Sequence, residues 1–380
     1  MSKAKINETL VMSAKEIAKS IVTTKLPHYI EGDTGASKTT SVAQYIKEMT
    51  GKPVSIFDCA NKTEGDFGLY NFDMESRTST LFANSELSGG QTHINFDELP
   101  KAIPNIKKSV IVVAQERRIG DYKLPDDVLI YATGNLSNEG LGDFLDAHER
   151  NRWVVVRMRK PTSQEWIEDY AIPNGVSAET IAFVDQTPKL GESFTDLDSM
   201  GFKDLKERKA YNSMIYDPRL PSDDAFATWR SITKADNIVK NREILGSNTT
   251  RVSLAGTIGM SATNELMTFL TMADKLPPMS DILKNPDDAM LVGDGASSCM
   301  LLHKMRENTK VLTQDNKINP VESGKRASTF IKYLKRMKPD YQAQYLRAVG
   351  SDKSISQIYF KNPDFGKLAV EYNFIFQADK

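Results

Sequence analysis

The segment Glu31-Gly32-Asp33-Thr34-Gly35-Ala36-Ser37-Lys38-Thr39-Thr40 ends in an ammonium beside a hydroxyl, the pair that anchors a metal-bound polyphosphate. The phosphate-binding pattern is Gly, four residues, then Gly-Lys-Ser/Thr. It is met here everywhere but at Ser37, which stands where the last glycine is expected. Gly32 and Gly35 let the backbone wrap close to an anion, and the amides from Gly35 to Thr39 point inward as donors. Lys38 then supplies a point charge to the outer phosphates, and the Thr39 hydroxyl is free to ligate Mg2+. If the Ser37 position demands a positive φ, its side chain costs on the order of 1 kcal/mol or more.

A second constellation follows about sixty residues later, the separation a phosphate-binding α/β domain needs between its glycine turn and its acids. Thr92-His93-Ile94-Asn95-Phe96-Asp97-Glu98-Leu99 reads as a strand ending in two carboxylates. Asp97 at the strand's carboxyl edge would hold Mg2+, and Glu98 would orient and polarise an attacking water. An Asp-Glu pair at a strand end is common in itself; both signals at compatible spacing are not. Asn135 ends a third apolar strand, at the edge where parallel sheets place ligands, and its amide can position the water facing Glu98. Arg150 and Arg152 precede a further strand on the rim, where an arginine can act on a neighbouring subunit's γ-phosphate.

These groups require strands to carry them and helices to cover the strands. His28-Tyr29-Ile30 leads into the glycine turn, and Val42, Ala43, Ile46 and Met49 recur at helical spacing until Gly51 and Pro53 stop the run. Residues 7 to 24 have the spacing of an amphipathic helix, and Val54–Phe57 alternates as a strand. Residues 58 to 90 read as a long polar segment with few periodic apolar positions; its Phe67, Gly68, Leu69, Tyr70, Asn71 and Phe72 either grip a partner or staple the segment to its own core. Next come a helix from Ile103 to Val113 and a hairpin turning at Gly120-Asp121 that carries Arg117 and Arg118. A buried strand from Val128 to Ala132, a short helix from Leu141 to His148 and a strand entered at Trp153 complete this part.

With 380 residues, 40% hydrophobic and 26% charged content and a net charge of −1, the chain has material for two or three domains and no global pull toward nucleic acid. No apolar run approaches the ~20 residues of a membrane span, and the N-terminus lacks a signal-peptide core, so a cytoplasmic location is expected. Cys59 and Cys299 lie 240 residues apart, and the four histidines are scattered. Neither a disulfide framework nor a zinc site is expected.

Taken in order, these motifs resemble those of an AAA+ ATPase, more narrowly the MoxR-like branch and the related ATPases of tailed bacteriophages. Gly32 to Thr40 matches Walker A, Ile94 to Glu98 Walker B, and Glu116 to Pro125 the hairpin before sensor 1. Ala132-Thr133-Gly134-Asn135 matches sensor 1. The likeness continues through Leu141-Gly142-Asp143-Phe144-Leu145-Asp146 and Asn151-Arg152-Trp153, and covers roughly residues 1 to 275. It implies an α/β P-loop NTPase core of three layers with a five-stranded parallel sheet, an α-helical lid, and ATP with Mg2+ bound between subunits of a ring, a hexamer being the expected form. It implies Gly32, Asp33, Thr34, Gly35, Ala36, Ser37, Lys38, Thr39 and Thr40 as the nucleotide cradle and Thr39 and Asp97 at the metal. Lys38, Glu98, Asn135 and Arg152 would serve catalysis, Arg152 as the finger with Arg150 in reserve. MoxR-like proteins often act with a protein bearing a von Willebrand A domain; a phage origin would mean the host cytoplasm. Sensor 2 departs from the pattern: aspartates stand where its arginine is expected in Asp217 to Trp229, leaving Arg219 or Arg230.

The expected boundaries are a core over 1–176, a lid over 177–275 and a mostly helical basic extension over 276–380. Gly256, Gly259 and Ala262, in a helix from Leu254 to Ala273, would permit close helix contact. Residues 301–350 hold eleven Lys/Arg against four acids, locally +7, with Phe330, Tyr333, Tyr341 and Tyr345 interleaved. Three functions stay open: an ATP-hydrolysing ring that remodels a protein partner, a motor or clamp on nucleic acid, and a nucleotide-gated assembly protein with little hydrolysis.

Overall fold

The structure, a computed structural model, describes residues 11–88, 90–136, 145–220, 224–293, 295–314, 320–352 and 355–372. The phosphate turn lies between β2 (His28–Gly32) and α2 (Lys38–Thr50), after β1 (Val11–Met12) and α1 (Ala14–Thr24). Then follow β3 (Val54–Asp58), a hairpin of β4 (Gly68–Asp73) and β5 (Thr78–Ala83), β6 (His93–Asp97) and α3 (Pro104–Glu116). A short hairpin of β7 (Arg118–Ile119) and β8 (Tyr122–Lys123) leads to β9 (Ile130–Asn135), α4 (Ala147–Arg150) and β10 (Val154–Met158).

The main sheet is parallel throughout, in the order β1-β10-β2-β9-β6-β3. Both faces are covered, as parallel strands require. Tyr29, Phe57, Ile94, Phe96, Ile130 and Ala132 pack with Ile106, Val110 and Val113 of α3. On the opposite face Ile30, Tyr131 and Met158 meet Ile17 and Ile21 of α1 and Val42 and Ile46 of α2. This is the three-layer P-loop core that the AAA+ likeness implies. Its five expected strands are present, and Val11–Met12 adds a sixth at the edge. Val11 and Met12 leave the expected helix because a capping box, with Ser13 accepting from the Glu16 amide and Glu16 from the Ser13 amide, begins α1 at Ala14.

The segment read as a polar loop is instead the β4–β5 hairpin. Phe67 just before it is buried against Phe57 and Phe96, whereas Leu69, Tyr70, Phe72 and Phe82 are exposed. Neither face of this ribbon is covered along its length, so no one-sided alternation marks it. Residues 141–144 of the expected short helix lie outside the described residues.

In chain order the helices continue with α5 (Ser163–Trp166), α6 (Ala178–Gln186), α7 (Phe194–Ser199), α8 (Leu205–Tyr211), α9 (Trp229–Lys240) and α10 (Arg242–Ala273). They end with α11 (Met279–Lys284), α12 (Gly295–Gln314), α13 (Pro320–Leu334), α14 (Pro339–Ser351), α15 (Ser356–Phe360) and α16 (Pro363–Glu371). Two compact units form, and they interleave along the chain rather than following one another at residues 176 and 275. The first joins the residues through Thr162 to Lys189–Ile232, and the second joins Ser163–Pro188 to the chain from Thr233. Within the first, Lys160 Nζ donates to the carbonyls of Leu190 and Glu192 (2.7 and 3.0 Å) and Trp229 Nε1 to that of Pro161 (2.9 Å). These bonds hold the returning segment on the core.

In the second unit α10 is not one straight helix. Gly246, at φ 74° and ψ 161°, and Gly259, at φ 80° and ψ 162°, break it in a conformation open to glycine alone, and Gly259 lies at the bend. Arg242 reaches Asp274 at 2.6 Å and Arg251 reaches Asn264 at 3.4 Å, so the two arms fold back on each other. Gly259 therefore serves a hairpin apex and Ala262 is buried, whereas a side chain at Gly256 would meet nothing.

Phe330, Tyr333 and Tyr345 are in the core of this unit with Leu301, Met305 and Leu346. Several basic side chains of 301–350 are also engaged: Lys304 with Glu179, Lys310 with the Ile172 carbonyl, and Arg336 with those of Pro286 and Ala289. No helix of the described residues is long and apolar enough to cross a membrane. Both cysteines are buried and free.

Candidate functional site

Three strands end together. Gly32 pairs with Asn135 across β2 and β9, and Phe96 pairs with Ala132 across β6 and β9, which brings Asp97 level with Thr133. Period-two alternation then turns Asp97, Thr133 and Asn135 to the face that α2 covers.

The turn from Gly32 to Ser37 wraps the start of α2. Gly35 has φ +74°, and a β-carbon there would lie 2.6 Å from Thr228, so conformation and space both require glycine. Ala36 is buried in the core between α1 and α2, which anchors the middle of the turn. Ser37 has φ 62° and ψ 27°, the left-handed region, and its side chain makes no capping hydrogen bond. The strain foreseen for a serine here is present, uncompensated by a cap. Ser37→Gly is therefore expected to raise the stability of the nucleotide-free protein by roughly 0.5–1 kcal/mol, the left-handed penalty less glycine's greater unfolded freedom. Chemical denaturation checks this, and an unchanged or lowered midpoint would show that the turn accommodates serine freely.

Lys38 is buried, and its Nζ donates to three oxygens: the carbonyls of Gly32 (2.8 Å) and Asp33 (2.9 Å) and Oδ1 of Asn135 (3.0 Å). The Thr39 hydroxyl donates to Asp97 Oδ1 at 2.9 Å, and the Thr133 hydroxyl donates to the same oxygen. With its proton directed to Asp97, Thr39 keeps its lone pairs for a cation. A hydroxyl and a carboxylate oxygen side by side suit a hard ion such as Mg2+.

Glu98 lies one residue beyond the strand, at φ 53° and ψ 33°. A left-handed non-glycine residue at a strand end is a stored strain of the kind that marks functional positions. Its Oε2 is 2.7 Å from Lys101 Nζ, with both side chains about a third exposed. Behind it, Tyr29 is buried near Glu31, and desolvation followed by that negative charge pushes its phenol up.

The two arginines of the rim differ. Arg150 is paired with Glu31 at the end of β2. Arg152 is exposed, and its side chain has no hydrogen bond or ion pair among the described residues. In the hairpin, Arg117 donates to the carbonyls of Pro125 (2.8 Å) and Val128 (2.7 Å) and Arg118 to that of Gly120, so both brace the turn. Of the sensor 2 candidates, Arg219 is tied to Asp198 at 2.6 Å. Arg230 is exposed two residues after Thr228, the residue seated on Gly35.

His28 bonds Ser20 and the Leu26 carbonyl, and His93, drawn down to about 4 by burial, bonds Thr50. Asp146, His148 and Glu149 cluster at α4, where the two acids form its capping box. What sequence reasoning missed is Thr133 on Asp97, Lys101 on Glu98 and Thr228 on Gly35. The first was readable as the residue two before Asn135 on the same strand face.

No family model and no curated protein matches the chain. Among solved structures, a candidate ATPase from Cytophaga hutchinsonii is 14% identical over 69% of this chain and 90% of its own, with a TM-score of 0.33. NtrX from Brucella abortus in complex with ADP is 13% identical over 72% of this chain and 68% of its own, also at 0.33. The RuvB Holliday junction branch migration motor of Thermotoga maritima is 15% identical over 72% and 75%, again at 0.33.

Proposed function

We propose that this chain is an AAA+ ATPase that binds ATP with Mg2+ on the turn from Gly32 to Thr40 and hydrolyses it in a ring of like subunits. The observation that carries the reading is the convergence of Lys38, Thr39, Asp97 and Asn135 at one end of the sheet. Four side chains from three separate parts of the chain, each of the type phosphate and metal chemistry needs, meet there as two hydrogen-bonded pairs, Lys38 with Asn135 and Thr39 with Asp97.

In this reading the Gly35–Thr39 amides and the N-terminus of α2 receive the phosphates, and Lys38 moves from the turn carbonyls to the incoming charge. Bound Mg2+ would offset the phosphate charge, held by Thr39 and Asp97. Glu98 orients the attacking water, Asn135 keeps contact with Lys38 and the outer phosphate, and Arg152 reaches the next subunit's nucleotide. Arg152 is preferred to Arg150 because Arg150 is already spent on Glu31. Arg230 is preferred to Arg219 as sensor 2, since it follows Thr228 at the phosphate turn and Arg219 is paired.

The work we assign to this cycle is remodelling of a protein partner, as in MoxR-like proteins, with a von Willebrand A domain protein the first to test. Burial of Phe330, Tyr333 and Tyr345 weighs against the alternative of a nucleic-acid motor, because side chains inside a core cannot stack on bases. The test is ATP turnover and nucleotide-dependent assembly of the purified chain, alone, with such a protein and with DNA. Turnover that rises with the protein partner is expected. Absence of ATP binding would overturn the whole reading, and binding without turnover would leave a nucleotide-gated assembly protein.

A further inference from the structure

We infer that Thr133 is a positioning residue for the metal-binding carboxylate, and that the Mg2+ affinity of the site depends on its hydroxyl; this rests on the ATP and Mg2+ reading above. Thr133 is fully buried on β9, level with Asp97 on the adjoining strand, and its hydroxyl donates to Asp97 Oδ1. Thr39 donates to that same oxygen from α2.

The consequence is directional. A carboxylate at the end of a strand can rotate about its terminal bond, presenting either oxygen to a cation. Two donors on Oδ1 fix the rotation and leave Oδ2 for a metal ion or its bound water. The donors are not equivalent. Thr39 is itself a proposed metal ligand and sits at the first turns of α2, beside the phosphate turn that must adjust when Lys38 changes partners. Thr133 is held in the middle of the parallel sheet, where Ile30 pairs with it across β2. It is the donor that stays in place whatever the turn does.

The geometry also divides the work on β9. Thr133 and Asn135, two residues apart on one face, hold Asp97 and Lys38 respectively. One strand thus sets the spacing between the metal-binding and the phosphate-binding side chains.

The experiment compares Thr133→Val, which keeps the shape and removes the donor, with Thr133→Ser, which keeps the donor. Binding of a fluorescent ATP analogue is followed against free Mg2+, with a parallel arm in EDTA, and Mn2+ binding to the nucleotide complex is read by electron paramagnetic resonance. For Thr133→Val the half-saturating Mg2+ is expected to rise about tenfold, the scale of one hydrogen bond to a charged group. Binding in EDTA should stay at the wild-type level, and Thr133→Ser should restore most of the Mg2+ response. If Thr133→Val does not fold, Thr133→Ala against Thr133→Ser gives the same contrast. An unchanged Mg2+ and Mn2+ response in a folded variant lacking the hydroxyl overturns the role of Thr133 and leaves the ATP reading standing. A wild type that binds no nucleotide overturns that reading, and the role of Thr133 with it.

Discussion

Replacing Glu98 by Gln is expected to leave ATP binding unchanged and to lower turnover by roughly 10²–10⁴-fold, the range for removing a positioned base. The substitution keeps size, turns one acceptor oxygen into an amide donor and removes the charge that polarises water. The left-handed backbone at residue 98 suits Gln no worse than Glu, so a folding defect is not expected. The ion pair with Lys101 does not change the sign of this prediction. With Lys101 40% and Glu98 32% exposed, the pair is worth at most about 1 kcal/mol and yields readily to a water in the site. Lys38→Ala is the control with a different signature: binding and turnover are expected to fall together, because in the proposed reading Lys38 would face the phosphates in ground state and transition state alike. Isothermal titration and phosphate release separate the two variants. Normal ATP binding by Lys38→Ala would remove the nucleotide from this turn, and normal turnover by Glu98→Gln would remove Glu98 from the reaction.

The parts of this site that could be read from sequence are those whose signal is local. Lys38 and Thr39 follow a glycine turn within a few residues, and Asp97-Glu98 closes a run whose His93, Asn95 and Asp97 alternate with Ile94 and Phe96. Each fragment indicates its own conformation, and the parallel sheet then has few ways to align strand ends. What stayed hidden depends on partners distant in sequence or on breaks inside a regular pattern. Thr133 has meaning only once β6 and β9 are in register. Residues 189–232 carry no mark of their return to the core, which rests on single bonds such as Trp229 to Pro161. The β4–β5 ribbon exposes apolar side chains on both faces, so Leu69 and Phe72 form no stripe. Tyr333 lies between Lys332 and Lys335 and Tyr345 two residues before Arg347, and the chain alone does not say that their rings face inward.

Arg152→Ala is expected to abolish hydrolysis, by about 10³-fold or more if it stabilises a neighbour's γ-phosphate, while ATP binding to each subunit persists. A residue acting across subunits has a signature that no residue acting within its own site can imitate. Mixed with Glu98→Gln, an Arg152→Ala subunit keeps an intact Glu98 and can receive Arg152 from its neighbour, so two inactive proteins should together regain turnover. The same mixture made with Arg150→Ala separates the two arginines. Arg150 is paired with Glu31 on β2 of its own chain, so its loss should disturb its own subunit's strand end and lower stability rather than produce complementation. The contrast rests on a difference in engagement: Arg152 is exposed and without a side-chain partner among the described residues, and a guanidinium held in that state is available to a charge outside its own chain. Full activity of Arg152→Ala alone would rule it out as the finger. Loss of activity without recovery in the mixture would return Arg152 to a role within its own subunit and would remove the claim that the nucleotide is completed by a neighbour.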